Sequence, residues 1–163
     1  MKDLTTPISD EDLAELDVGD QITISGTIYT GRDAALPQLV ELIKQDNIPF
    51  DVEGMVIMHT AFSDAGIAPT TSSKEEIEST IPFLSEHGVK IHIGKGMLGD
   101  ETIKSLKENN SIFVITPPVA ALLTNKVLEK KCVLFENEGM EAMFELKVEK
   151  IPGIVAIQDG KSI

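Results

Sequence analysis

Predicted strands alternate with predicted helices from about residue 20 to residue 136, and this order constrains the fold more than any other feature. Residues 21–30 alternate β-branched with small or polar side chains, the period of two that indicates a strand. A helix is predicted next from Ala34 to Ile43, and Pro37 is tolerable in it only within the first turn. Helical crossovers between strands favour parallel pairing. The pattern therefore predicts one domain over residues 1–163, with a mainly parallel sheet flanked by helices.

Helix caps, prolines and the periodicity of apolar residues predict the other helices and strands. A short helix is predicted to begin after Ser9, whose hydroxyl can cap it. Further helices are predicted at 74–88, with a kink or break at Pro82, and at 99–110 and 119–128. Further strands are predicted at 52–59, 89–94, 111–116, 132–136 and 153–158, with an ambiguous strand at 142–148.

Composition excludes several classes of partner. The 163 residues are 42% hydrophobic and 25% charged, as in an ordinary globular domain. The formal net charge of −13 repels nucleic acid and anionic membrane surfaces. A local basic pocket could still hold an anionic metabolite. No apolar run resembles a signal peptide or approaches the roughly 20 residues of a membrane span, so we expect a cytoplasmic protein.

Cys132 is the single cysteine of the chain. One thiol excludes an internal disulfide, and it excludes an iron–sulfur cluster or zinc site built from several thiolates of this chain. Because Cys132 opens an apolar run, we expect it to be a buried small hydrophobic residue. The three histidines lack metal-ligand spacing, so no metal site is predicted. We expect His92 on the solvent side of its strand, and His59 at a strand end.

Three segments place small or hydroxyl residues and one cation directly after a predicted strand. In open α/β sheets, ligands bind at the carboxyl ends of strands, where helix amino termini offer free N–H groups. In the first segment, Arg32 can grip a carboxylate with two hydrogen bonds and Asp33 can aim it. The alternative is a solvated Arg–Asp pair at the start of a helix.

The other two segments have their own alternatives. Thr70, Thr71 and Ser72 lead to Lys74 and can present hydroxyl and backbone donors to an anion, or can simply cap the following helix. Gly94 and Gly96 flank Lys95 and let an anion approach the backbone closely, or form an ordinary turn with an exposed lysine. The spacing around Lys95 is not that of a P-loop.

Taken in order, these segments resemble the β half of class I fumarases and L-tartrate dehydratases. Five motifs typical of that family occur here with order and spacing intact. They are the serine-glycine to alanine-alanine run at 25–35, the proline-threonine-threonine-serine loop at 69–72, the isoleucine-glycine-lysine-glycine turn at 93–96, the alanine-alanine-leucine-leucine run at 120–123, and the glycine-methionine-glutamate-alanine segment at 139–142 that precedes glutamate-leucine-x-valine at 145–148. The resemblance covers nearly the whole chain.

The resemblance implies a swivelling β/β/α domain that closes over a separate α subunit. That partner carries a 4Fe–4S cluster, whose unique iron binds the hydroxyl and carboxylate of a small dicarboxylate substrate. By position in the motifs, Arg32 and Lys95 would bind carboxylates, and Thr70 matches the threonine of proton transfer. The resemblance leaves homodimerisation open. A threonine hydroxyl has little basicity alone, so neighbouring cations and hydrogen bonds would have to activate it.

The chain also departs from the family pattern. Leu36 stands where the family usually has a histidine, and Lys74 stands where it usually has an arginine. Pro117-Pro118 replaces a flexible glycine pair. An exchange of arginine for lysine alters a bidentate carboxylate site. Three hypotheses follow: a fumarate-hydrating β subunit, a hydro-lyase for a related hydroxy acid, and a non-catalytic paralogue that binds an anionic metabolite or scaffolds a complex.

Overall fold

The computed structural model describes residues 1–63, 66–67, 74–95, 98–116 and 125–163, with side chains for all of these except 74–78. The helices are α1 (Asp10–Ala14), α2 (Leu36–Lys44), α3 (Lys74–Glu86) and α4 (Asp100–Glu108), and a 3₁₀ helix spans Glu136–Glu141. The strands are β1 (Lys2–Thr5), β2 (Gln21–Thr30), β3 (Val56–Met58), β4 (Phe62–Ser63), β5 (Gly66–Ile67), β6 (Ile91–Gly94), β7 (Ile112–Ile115), β8 (Val127–Leu134), β9 (Met143–Gln158) and β10 (Lys161–Ser162).

Five of these strands close into a barrel in the order β2, β3, β6, β7 and β9. The first four pair in parallel, and β9 runs antiparallel to both β7 and β2 and so joins the two ends of the sheet. Strand β1 pairs in parallel with the first half of β2, while β8 and β10 pair with β9. Strands β4 and β5 form a separate small hairpin.

The predicted mainly parallel sheet flanked by helices is therefore wrong, because the sheet is mixed and closed on itself. The error lies in β9. Two strands were predicted, at 142–148 and 153–158, but the chain stays extended from Met143 to Gln158. Lys150 has a φ of 54°, and the register with β2 shifts between Ile24 and Gly26. Such an irregularity bends a strand, so one strand can pair with β2 along its length and with β7 at its far end.

The inward face of the barrel carries one continuous apolar cluster. Alternate residues of the barrel strands contribute to it, the period expected when one face of each strand points into a closed interior. They include Ile22, Ile24, Ile28, Val56, Met58, Ile91, Ile93, Ile112, Val114, Leu146, Val148 and Val155, all buried. The outward faces pack on helices: Tyr29 and Ile57 join α2 and α3 residues in a second cluster, and Phe113 joins α3 and α4 residues in a third.

Most elements predicted in the first 116 residues are confirmed. Strand β2 has the predicted bounds, and the helices α1, α2, α3 and α4 occur where the sequence indicated them. Ser9 caps α1 as expected: the Asp12 N–H donates to its hydroxyl, and its own N–H donates to the Asp12 carboxylate. Within the described parts of the chain, no helix has the length and apolar character needed to cross a bilayer.

The secondary structure of the carboxyl-terminal third was predicted less accurately. Strand β8 begins at Val127, so the helix predicted at 119–128 is wrong at its end, and its residues 119–124 lie outside the described residues. Residues 128–132 of β8 are exposed, and the strand pairs with β9. An edge strand rich in charged residues lacks apolar alternation, which explains the misassignment. The prediction of a single domain over residues 1–163 stays a prediction.

Candidate functional site

The carboxyl ends of the parallel strands lie together at one end of the barrel, here called the strand-end face. The Gly31 N–H donates to the Met58 carbonyl over 3.1 Å, and the His59 N–H donates to the Ile93 carbonyl over 2.8 Å. These bonds hold the first residues after β2 and β3 beside the carboxyl ends of β3 and β6. Because β9 is antiparallel to β2, with Phe144 opposite Thr30, the 3₁₀ helix before β9 also reaches this face.

Arg32, the single arginine of the chain, follows β2 on this face. Its side chain forms a two-pronged ion pair with Glu141. The Nε–H donates to both carboxylate oxygens of Glu141 over 2.9 Å, and Nη2 lies 2.8 Å from Oε2. The two side chains are 22% and 29% exposed, so solvent screens this pair less than a pair on the open surface. The guanidinium is therefore held by a carboxylate at the end of the 3₁₀ helix that precedes β9, the strand paired with β2.

Glu141 was not singled out by the sequence as a site residue. It lies in the glycine-methionine-glutamate-alanine segment, where only the resemblance to other sequences drew attention to it. No local pattern pairs it with Arg32, because 109 positions separate the two. Asp33, the residue expected to aim Arg32, lies exposed next to it. The roles suggested for Asp33 and Arg32 stay predictions.

A second polar contact lies near the same end of β2 and β9. The Tyr29 hydroxyl donates to the Glu145 carboxylate over 3.3 Å, and its ring stacks on Phe50 with 4.8 Å between centroids. Burial, followed by the nearby Glu145 charge, raises the pKa of Tyr29 to about 12. Tyr29 is thus a neutral hydrogen-bond donor throughout the physiological pH range.

Gly94 ends β6 on the strand-end face, and Lys95 follows it and is exposed. A methyl group added at Gly94 would lie 2.9 Å from the Phe113 ring and 3.9 Å from the His59 Cβ atom. The packing against Phe113 is a structural reason for glycine at this position. The predicted approach of an anion to the Gly94 backbone, and the contact of Lys95 with a carboxylate, stay predictions.

Several predicted site residues cannot be placed. Thr70, Thr71, Ser72 and Gly96 lie outside the described residues. Lys74 begins α3, but its side chain is also outside the description. Of the predicted Arg32–Thr70–Lys95 pocket, the structure thus describes the two cations, which follow strands β2 and β6.

Two histidines lie buried behind the strand-end face. His59 and His92 are 1% and 0% exposed, with 5.7 Å between ring centroids, and His92 Nε2 lies 2.9 Å from the Ser85 hydroxyl of α3. The predicted solvent position of His92 is wrong, because β6 lies within the barrel and α3 covers its outer face. Among the described residues, both ring nitrogens of His59 and Nδ1 of His92 have no hydrogen-bond partner. Burial lowers the pKa of His59 to about 4, and burial together with His59 lowers that of His92 well below its usual value.

The described residues do not fit an iron–sulfur cluster or another metal centre. No group of three or more histidine, cysteine, aspartate or glutamate side chains lies close enough to hold a metal in the part of the chain that the structure describes. Cys132, the single cysteine, is exposed on β8, so its predicted burial is wrong. Strand β8 lies at the edge of the sheet, and the side chain therefore reaches solvent rather than the core.

Comparison with known proteins gives consistent matches over nearly the whole chain. A family model described as the fumarase C-terminus matches residues 2–163. The L(+)-tartrate dehydratase subunit beta of Escherichia coli (strain K12) is 34% identical over 168 residues, which cover 96% of this chain and 82% of that protein. A putative L(+)-tartrate dehydratase subunit beta of Methanocaldococcus jannaschii is 30% identical, with 96% and 87% covered. A putative class I fumarate hydratase of Geobacillus stearothermophilus is 30% identical, and the match covers 94% of this chain and 31% of that longer protein.

Proposed function

The chain belongs to the fumarase C-terminus family, and we propose that it works as the β subunit of a hydro-lyase that acts on a small dicarboxylate. The reaction is the reversible hydration of fumarate to malate, or the dehydration of a related 2-hydroxy dicarboxylate. The observation that carries this proposal is the placement of two cationic residues on one strand-end face of a chain whose relatives are named tartrate dehydratase and fumarate hydratase.

The spacing of the two cations suits a substrate with two carboxylates. Arg32 follows β2 and Lys95 follows β6, and β3 lies between these strands. Neighbouring strands are about 4.8 Å apart, so the two backbones are separated by roughly 10 Å. Two long side chains can span that distance toward one ligand. Since the whole chain has a formal charge of −13, local cations are needed to offset repulsion of a dianion.

Proton transfer is assigned to the threonine–serine loop. Thr70 is the proposed proton-transfer group, and Thr71, Ser72 and Lys74 are proposed to bind substrate with it. In this proposal Gly94 and Gly96 admit the substrate to the backbone beside Lys95, and Asp33 assists Arg32. The support for these roles is the family match over residues 2–163, which includes this loop. A threonine hydroxyl has little basicity alone, so neighbouring cations and hydrogen bonds would have to activate it.

The cluster of this family is proposed to reside in a partner α subunit. This chain has one cysteine, and that cysteine is exposed on an edge strand, so its residues do not fit the cluster. The relatives' name "subunit beta" supports the existence of a partner. In the partner, the cluster would supply binding of the substrate hydroxyl and carboxylate, and this chain would supply cations and hydroxyl groups to the same substrate. A cytoplasmic location, derived from composition, belongs to the same proposal.

Dehydration of tartrate is the second candidate reaction. It is favoured by relatives named L(+)-tartrate dehydratase, which are 34% and 30% identical to this chain. Leu36, which stands where the family usually has a histidine, also affects the expected substrate specificity. Leu36 is buried and its Cδ2 lies 3.1 Å from a methyl group placed on Gly31, so it packs beneath the loop that carries Arg32. An apolar side chain there replaces the polar group usual in the family.

The test is anaerobic co-expression with the candidate α subunit, followed by fumarate absorbance and tartrate dehydration assays. The proposal predicts turnover in the wild-type complex and a loss of at least about a hundredfold in kcat/KM for Arg32→Ala, because removal of one partner of a desolvated, hydrogen-bonded charge pair typically costs about 2–5 kcal/mol. Lys104→Ala, which removes a cation 71% exposed on α4, is the matched control and should keep full activity. A cluster-loaded wild-type complex without turnover on fumarate, malate or tartrate would favour a non-catalytic binding or scaffolding role.

A further inference from the structure

A polar cavity of about 230 Å³ lies at the end of the barrel opposite the strand-end face. Three segments line it: the loop between α1 and β2, the end of α4 with the turn into β7, and the turn between β9 and β10. Two of these segments precede β2 and β7, so the cavity lies at the amino ends of the parallel strands. All of its lining residues belong to the described part of the chain. We propose that this cavity binds a small zwitterion, a free α-amino acid with a short side chain, independently of the proposed hydro-lyase reaction.

The first support is the set of charges around the cavity. Lys107 and Lys161 supply two positive charges, and Asp17 and Asp159 supply two negative ones. Among the described residues, none of these four side chains takes part in an ion pair, either with one another or with a further residue. An α-amino acid carries an ammonium and a carboxylate on the same carbon atom. Each of these groups can meet a side chain of opposite charge at this cavity.

The charge balance favours a zwitterion over an ion of one sign. The formal charge of −13 repels a small anion from the chain as a whole, and the two aspartates of the cavity add to that repulsion. The two lysines repel a simple cation in the same way. A ligand without net charge avoids both penalties and still contacts both kinds of side chain. The charge pattern therefore selects against simple carboxylates and simple amines.

The second support is an amide oxygen that lacks a donor among the described residues. Gln158, at the end of β9, lines the cavity, and its Nε2 donates to the Leu13 carbonyl over 2.6 Å. Its Oε1 atom is buried and accepts no hydrogen bond from any described residue. A buried amide oxygen without a donor is costly. The ammonium group of an amino acid offers three N–H donors, so a ligand seated beside Gln158 would supply the missing hydrogen bond.

The third support is the packing of the walls. Leu16 and Leu106, which are 4% and 1% exposed, form an apolar part of the lining. Lys107 packs on the turn at Gly160, since its Cδ and Nζ atoms lie 3.3 Å and 3.9 Å from a methyl group placed on that glycine. A preformed cavity loses less entropy on binding. Because the cavity is smaller than the pockets that take drug-sized ligands, the ligand's side chain is limited to a few atoms.

The experiment is an NMR titration of the ¹⁵N-labelled full chain with L-alanine. We expect the amide signals of residues 14–18, 106–111 and 158–161 to shift to saturation, with a dissociation constant of about a millimolar, an order that a ligand of this size can reach. Propionate lacks the ammonium group, and ethylamine lacks the carboxylate. We expect each analogue to bind at least about tenfold more weakly than L-alanine, because each loses one charge-assisted contact.

Two variants at exposed positions test the roles of the charges. Lys107→Gln should weaken L-alanine binding at least about fivefold without weakening ethylamine binding, because it removes a contact to the carboxylate. Asp17→Asn should weaken L-alanine binding without weakening propionate binding, because it removes a contact to the ammonium. The matched control is Lys104→Gln, which changes a lysine 71% exposed on the same helix and outside the cavity and should bind L-alanine as the wild type does. Unshifted signals from the barrel strands would show that each variant is folded.

The absence of a saturable shift with L-alanine, at concentrations tens of times the expected dissociation constant, would overturn the inference. Propionate binding as tight as L-alanine binding would also overturn it, since that result marks a site for simple anions. Equal L-alanine binding by Lys104→Gln, Lys107→Gln and Asp17→Asn would show that the charges of the cavity do not recognise the ligand, and would contradict the inference in the same way.

Discussion

The imidazole rings of His59 and His92 lie 5.7 Å apart between the barrel and helix α3, and both are buried with ring nitrogens that have no partner among the described residues. None of the ion pairs between described residues involves either imidazole. Buried charges of one sign this close to each other are costly. The native state therefore requires both rings to be neutral.

This arrangement predicts a loss of stability in mild acid. The pKa of His59 is about 4 in the folded chain and near 6.5 in an unfolded one, so the unfolded state binds the extra proton between these values. Stability is full above pH 6.5 and falls as the pH drops toward 4, by about 3 kcal/mol from His59 at 1.36 kcal/mol per pKa unit. Urea unfolding between pH 4.5 and pH 7.5 measures this. His59→Leu should flatten the dependence, while His87→Leu, at an exposed histidine, should not.

Ser9→Ala should destabilise the chain by about 1 kcal/mol, because it removes the hydroxyl that accepts from the Asp12 N–H at the start of α1. The reciprocal bond from the Ser9 N–H to Asp12 can persist in this variant. Ser9→Asp should retain most of the stability, since a carboxylate also caps a helix. Chemical denaturation of the three proteins gives the comparison. Equal midpoints for Ser9→Ala and wild type would show that the cap contributes nothing.

Gly94→Ala should destabilise by about 1–3 kcal/mol, the usual cost of overpacking a filled core. The added methyl group would lie 2.9 Å from the Phe113 ring. Phe113→Leu makes room at that ring, so the double variant should lose less than the two single changes predict. A double-mutant cycle on unfolding free energies measures this coupling. Strict additivity would mean that the glycine is not required by packing against Phe113.

Cys132 should react with a thiol reagent in the folded chain. The side chain is exposed on β8, and it is the single thiol of the sequence. Partial burial, followed by the charge of Glu136, raises its thiol pKa, so labelling should be slow at pH 7 and faster at pH 9. One equivalent of Ellman's reagent consumed without denaturant is the expected result. A thiol that reacts only in urea would contradict its position on an edge strand.

The sequence predicted local elements well because their signals are local. Ser9 caps a helix three residues away, and Gln21–Thr30 alternates in hydropathy over its own length. Closure of the barrel depends instead on one bent strand that crosses Pro152-Gly153, and no local rule distinguishes that bend from a turn. Likewise, burial of His92 depends on α3 covering the outer face of β6, a contact between distant segments.

The residues of the candidate site were likewise predicted where the signal is local and missed where it depends on contacts between distant segments. Arg32 and Lys95 were found because each follows a predicted strand, and the structure places both on the strand-end face. The contact between Arg32 and Glu141 was missed, because its partners are 109 positions apart and meet only when β9 pairs with β2. Four further residues with predicted roles in substrate binding or proton transfer lie outside the described residues: Thr70, Thr71, Ser72 and Gly96.

The most direct measurement of the central claim is a reconstitution titration. Cluster-loaded α subunit, purified anaerobically and alone, is mixed with increasing amounts of this chain while fumarate hydration and tartrate dehydration are followed. The account predicts negligible turnover by the α subunit alone, and activity that rises with added chain to saturation, whereas Arg32→Ala restores little. Equal turnover with and without this chain, or full activity with Arg32→Ala, would contradict a catalytic β subunit.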